Sequence, residues 1–151
     1  MRRRPTIPFN SWSARGPFGG PAFQLAIPPS QPNLAFTIAN YGLYRTTDGG
    51  DTWSQVPQYF GNLGLGRVRF DPANPSRIFV TAHGTGLWRS TDGGATFTNI
   101  SPLVPDANNA AMGLAISADG NSIYYSTNGQ KFFRSTAGTG RTCMSGASRT
   151  S

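Results

Sequence analysis

Apolar and polar residues alternate along most of this chain, and Gly, Pro, Asn and Asp interrupt the alternation at short intervals. In GRVRF (66–70), Val68 and Phe70 fall on one side, the period of a half-buried strand. DPANPS (71–76) is a turn, because proline presets φ and Asp and Asn bond their own backbone. RIFVTA (77–82) is rich in β-formers and reads as a buried strand, which AHGTG (82–86) ends. LWRS (87–90) is a third strand, TDGGA (91–95) a tight turn, and TFTNI (96–100) a fourth strand with Phe97 directed to one side. Helical spacing of apolar residues at i, i+3, i+4 and i+7 is not sustained anywhere, so no helix is predicted.

The four-strand pattern recurs. RTTDGGDTW (45–53) returns 44 residues later as RSTDGGATF (89–97), and a worn copy, RSTAGTGRT (134–142), follows after a further 45. IPPSQPNLAFTIANYGLYR (27–45) aligns with FDPANPSRIFVTAHGTGLWR (70–89) with one residue inserted, and ISADGNSIYYSTNGQKFFR (116–134) is the third version. The first repeat predicts strands near 22–27, 34–39, 42–46 and 52–56. The third predicts strands at 112–117, 122–127 and 131–136, without a clear fourth. Four short antiparallel strands in roughly 40–50 residues is the content of one propeller blade. The expected fold is therefore all-β, a partial β-propeller of about three blades. Its expected divisions are a basic arm (1–15), blades at 16–56, 57–100 and 101–136, the last incomplete, and a tail (137–151) without strand pattern. Arm and tail are expected to be disordered.

The repeated phrase has a physical reason for each residue. Gly49, Gly50, Gly93 and Gly94 tolerate positive φ. Asp48 and Asp92 accept hydrogen bonds from turn N–H groups, and Thr46 and Ser90 add side-chain bonds. Trp53 and Phe97 bury aromatic surface beside the turn. Thr52 and Thr96 complete the motif. The phrase resembles the Asp-box, or bacterial neuraminidase repeat, S/T-x-D-G-G-x-T-W/F. That repeat occurs in sialidases, xyloglucanase-type glycoside hydrolases, sortilin-like receptors and photosystem assembly factors. The run 71–97 looks most like the xyloglucanase and sortilin-type versions, and the resemblance covers about residues 16–136. It implies a propeller, a structural role for the boxes, and a secreted or periplasmic setting. It does not imply one activity.

The chemistry of a catalyst is hard to find. A glycosidase commonly uses two carboxylates across the scissile bond, yet the chain has no glutamate. The nearest string to the sialidase Arg-Ile-Pro motif is Arg77-Ile78-Phe79, which departs from it at Phe79. Asp48, Asp51 and Asp92 belong to the boxes, Asp71 opens a proline turn and Asp119 makes a hairpin turn, which leaves Asp106 alone. His83 is the only histidine and Cys143 the only cysteine, so the sequence offers neither a metal site nor an intrachain disulfide. No cofactor is expected. If the chain is part of an enzyme, the resemblance makes it a glycoside hydrolase whose catalytic carboxylates lie outside these residues.

Net charge is +7, with Arg2, Arg3, Arg4, Arg15, Arg134, Arg141 and Arg149 towards the ends. The six bases and six acids of 45–133 cancel. A nucleic-acid surface wants its cations on the folded body, so this distribution argues against one. No apolar run is long enough to cross a membrane, and MRRRPTIPFNSW lacks the apolar stretch of a signal peptide.

Topology points to a binding face. In a four-stranded meander, the first–second loops and the Asp-box turns share one side, and the second–third and inter-blade loops share the other. That other side carries Asn40, Tyr41, His83, Thr85, Gln130 and Lys131, and receives the loops 57–66 and 101–110. Tyr41, Tyr59, Phe60, His83 and Lys131 are the candidate ligand contacts, for a glycan or a protein. Three blades also leave edges open, which invites self-association or marks a fragment of a longer propeller.

Overall fold

The computed structural model describes residues 14, 16–17, 20–40, 42–100, 111–128, 132–136 and 142–144. All regular structure among them is β. The strands are β1 (Ala22–Ala26), β2 (Ala35–Ala39), β3 (Gly42–Thr46), β4 (Ser54–Gln55), β5 (Leu65–Phe70), β6 (Ile78–Ala82), β7 (Gly86–Ser90), β8 (Thr98–Asn99), β9 (Ala111–Ile116), β10 (Ser122–Thr127), β11 (Phe132–Thr136) and β12 (Thr142–Met144). They form three four-stranded antiparallel meanders, β1–β4, β5–β8 and β9–β12, each in chain order. This is a partial β-propeller of three blades. The first strands converge: β1 packs beside β5 and β5 beside β9.

The repeat continues into register. Phe36 pairs with Arg45 and Ile38 with Leu43 in the first blade, as Phe79 pairs with Arg89 and Thr81 with Leu87 in the second. Each strand therefore sends alternate residues to opposite faces of its blade. One apolar cluster joins Phe36, Ile38 and Leu43 of blade one to Val68, Phe70, Ile78 and Val80 of blade two. A second joins Phe79 and Leu87 of blade two to Leu114, Ile123, Tyr125 and Phe133 of blade three. The core thus lies between blades, which is why no single repeat can stand alone.

The third blade differs from expectation. Thr142–Met144 pairs with β11 as a fourth strand, inside the segment whose sequence lacks strand pattern. The outer strands β4 and β8 are two residues each and exposed. An outer strand needs main-chain bonds to its neighbour and little apolar alternation, so the pattern gives β4 and β8 only as the longer stretches 52–56 and 96–100 and does not mark β12. Apart from Ala14, the arm lies outside the described residues, as does the rest of the tail.

Candidate functional site

The two sides of the blade stack are built differently. On one side the TDGG turns lock. Thr46 Oγ1 donates to Asp48 Oδ1 at 2.7 Å and accepts from the Gly50 N–H at 3.0 Å. Asp48 then accepts from the Thr52 N–H at 2.9 Å and the Thr52 hydroxyl at 2.7 Å. The second turn repeats this with Ser90, Asp92, Gly94 and Thr96 at 2.7, 2.9, 3.0 and 2.5 Å. Each turn also docks on its own blade: the Gly49 N–H donates to Asn33 O and the Gly93 N–H to Ser76 O, both at 2.9 Å. Phe97 is buried, with its ring 5.2 Å from that of Phe60. Trp53, at the same place in blade one, is only half-buried. In blade three Ser135 stands where Ser90 stands in blade two, but no Asp follows it, and its buried Oγ has no hydrogen-bond partner among the described residues.

These bonds hold the carboxylates ionised. The Thr52 N–H, then the Thr52 and Thr46 hydroxyls, lower the Asp48 pKa to about 2. The Thr96 hydroxyl and N–H and the Ser90 hydroxyl lower that of Asp92 further. The Ser117 hydroxyl and the Asn121 N–H lower that of Asp119. Groups whose folded pKa is depressed add stability above their unfolded pKa and lose it as pH falls through the folded value. The melting temperature should hold steady from about pH 7 to 5 and fall between about pH 4 and 2. Asp92→Asn should make that fall shallower, and a melting temperature flat across the acid range would contradict the assignment.

The same side holds an ion pair. Asp71 is fully buried, pairs with Arg77, and accepts from the Ala73 N–H at 2.8 Å. Arg77 Nη2 reaches across to Gly120 O of blade three at 3.2 Å.

The opposite side is made of loops. The second-blade loop at 83–85 ties to the inter-blade loop: the His83 N–H donates to Gly64 O at 2.9 Å, and Thr85 Oγ1 donates to Phe60 O at 2.6 Å. Trp88 Nε1 donates to Thr85 Oγ1 at 3.0 Å. Phe60, expected as a ligand contact, is instead buried edge-on against Trp88 and Phe97, at 5.4 and 5.2 Å. The positive-φ Gly61 beside it turns the chain back towards blade two. Its neighbour Tyr59 is 75% exposed. Tyr41 and Lys131 lie outside the described residues, so of the expected contacts Tyr59 and His83 are those seen at the surface.

His83 belongs to a cavity of about 330 Å³ lined by Phe23, Ile38, Leu63, Leu65, Arg67 and Met112, with Gly64 and Gly66 in its wall. Burial, and secondarily the Arg67 cation, lower the His83 pKa, so the imidazole is neutral at pH 7 and Arg67 supplies the charge. Among the described residues, no acid lines this cavity. Sequence reading missed Phe23, Arg67 and Met112. They come from the first strands of three different blades, and no local phrase of the sequence marks them together.

Among the described residues, the aspartates do not converge on one site. Asp48, Asp92 and Asp119 are engaged in their own turns and Asp71 with Arg77, and Asp106 lies outside the described residues. No group of three metal-ligating side chains occurs among the described residues. No helix there is long and apolar enough to cross a membrane.

No protein-family model matches the chain, and no curated protein matches it. Solved structures do. A GH74 enzyme from Niastella koreensis is 23% identical over 83% of this chain and 22% of its own, with a TM-score of 0.65. An ancestral GH74 enzyme is 19% identical over 91% of this chain and 20% of its own, with a TM-score of 0.75. YCF48 bound to a D1 peptide is 17% identical over 91% of this chain and 45% of its own, with a TM-score of 0.68. The chain therefore spans about a fifth of the GH74 enzymes and under half of YCF48. At these identities the likeness is one of fold: the chain carries a stretch of β-propeller that larger proteins also contain.

Proposed function

We propose that this chain is a non-catalytic recognition module that binds a peptide segment of a partner protein through the cavity on its loop side. The observation that carries the reading is the cavity's chemistry. An apolar lining with one cation and no acid suits an apolar segment bearing a carboxylate. The exposed Tyr59 ring on the same side adds a contact surface. YCF48, a structural neighbour, binds a peptide. On this reading the TDGG turns are Asp-boxes with a purely structural role.

The test is calorimetric titration with two probes: an apolar pentapeptide ending in a free carboxylate, and a xyloglucan oligosaccharide. The peptide should bind, and Arg67→Ala should weaken it about tenfold, roughly 1.4 kcal/mol, the scale of one charge-assisted contact. Oligosaccharide binding without peptide binding would reverse the choice of ligand.

A second reading rests on the GH74 neighbours, of which this chain matches only about a fifth. Here the chain is part of a glycoside hydrolase and the catalytic carboxylates lie elsewhere. Both readings give no release of reducing sugar from xyloglucan by this chain. Hydrolysis abolished by Asp106→Asn would overturn both.

A further inference from the structure

The blades meet by one rule, and among the described residues the rule leaves two faces unmatched. Call leading the face that carries Phe36 and Leu43 in blade one, and Phe79 and Leu87 in blade two. Each leading face is buried against the trailing face of the next blade, at Val68, Phe70, Ile78 and Val80 and then at Leu114, Ile123 and Tyr125. By repeat register, the leading face of blade three carries Tyr124 and Phe132, which are 44% and 69% exposed. The Arg134 guanidinium lies 5.6 Å over the Tyr124 ring on that face. The trailing face of blade one carries Leu25 and Ile27, where blade two has Val68 and Phe70, and these are 57% and 52% exposed. Trp53, the counterpart of buried Phe97, is half-buried and lines the same hollow as Leu25, and its Nε1 has no hydrogen-bond partner among the described residues.

We propose that these two faces bind each other between copies of this chain, blade three of one copy stacking on blade one of the next. Such a junction continues an interface the molecule already makes twice. The same repeat positions meet in the same order, and each copy supplies one leading and one trailing face. The contact is heterologous: its two halves are different surfaces, so copies join head to tail. It covers four large apolar side chains per junction that otherwise face water.

A head-to-tail contact has a signature in mixtures. The measurement is sedimentation of the full chain across a wide concentration range, with two double variants. Leu25→Asp with Ile27→Asp spoils the trailing face, and Tyr124→Asp with Phe132→Asp spoils the leading face. Wild type should form species of two or more chains. Each variant alone should sediment as one chain of 16.1 kDa. Their equimolar mixture should give a species of two chains (2 × 16.1 = 32.2 kDa) and nothing larger, because one good face of each kind remains. Glutamine at the same four positions is the milder set if aspartate lowers the β circular dichroism signal. Wild type remaining a single chain at every concentration would overturn the proposal. Variants that associate as wild type does, or that fail to pair when mixed, would overturn it as well.

Discussion

Gly94→Ala should cost about 3–5 kcal/mol, a large part of the stability of a domain of this size. Two effects add. Gly94 has φ +87, in the region where a side chain is strained by about 1–2 kcal/mol. A Cβ there would also lie 2.8 Å from Phe36 Cε1 and nearer still to Cζ. Phe36 is fully buried and sits in the first inter-blade cluster, so the ring cannot step aside without opening the seam. The adjacent glycine separates the two effects. Gly93 has φ +71, and a methyl group added to it would meet no atom within 4 Å, so Gly93→Ala should show the strain alone, about 1 kcal/mol. Urea unfolding of the two variants reads the difference. Equal shifts in midpoint would mean that the turn does not press on the preceding blade.

Asp71→Asn should be the second large loss, about 3–5 kcal/mol. Asp71 is fully buried against Arg77, whose side chain is partly exposed and also holds Gly120 O of blade three. Removing the carboxylate charge leaves the guanidinium facing a neutral amide, and unpairing a buried ion is costly even where the intact pair adds little. Arg77→Met in the same chain should recover part of the loss, because it removes the orphaned cation, and a double-mutant cycle measures the coupling. Asp119→Asn, in an exposed turn, is the contrast and should cost far less. Equal losses at 71 and 119 would count against the ion pair as a tie between blades.

Most of the architecture was legible in the sequence for a local reason. A turn such as Thr46–Thr52 is built from residues that bond one another within four positions, so its chemistry is written in one phrase. The inner strands β2 and β6 read as near-continuous runs of apolar residues and β-formers, because all five positions of each are buried. The outer strands carry none, so β12 and the two-residue extents of β4 and β8 were not readable. The loop 57–64 shows the opposite failure. Tyr59 and Phe60 are adjacent aromatics with no periodicity, and only the return of the chain at Gly61 sends Phe60 inward and Tyr59 outward. The cavity was invisible for a further reason. Phe23, Arg67 and Met112 are far apart in sequence and meet because the first strands of the blades converge.

On the proposed reading the two sides of the molecule divide the labour: one is a locked turn side, the other a loop side that would receive a ligand. Backbone amide NMR during titration with the carboxylate-ended apolar pentapeptide tests this division most directly. Shifts are expected at 63–67, 83 and 112, and none at the turns 46–52 and 90–96. Shifts concentrated at the turns, with 63–67 and 83 unmoved, would contradict it.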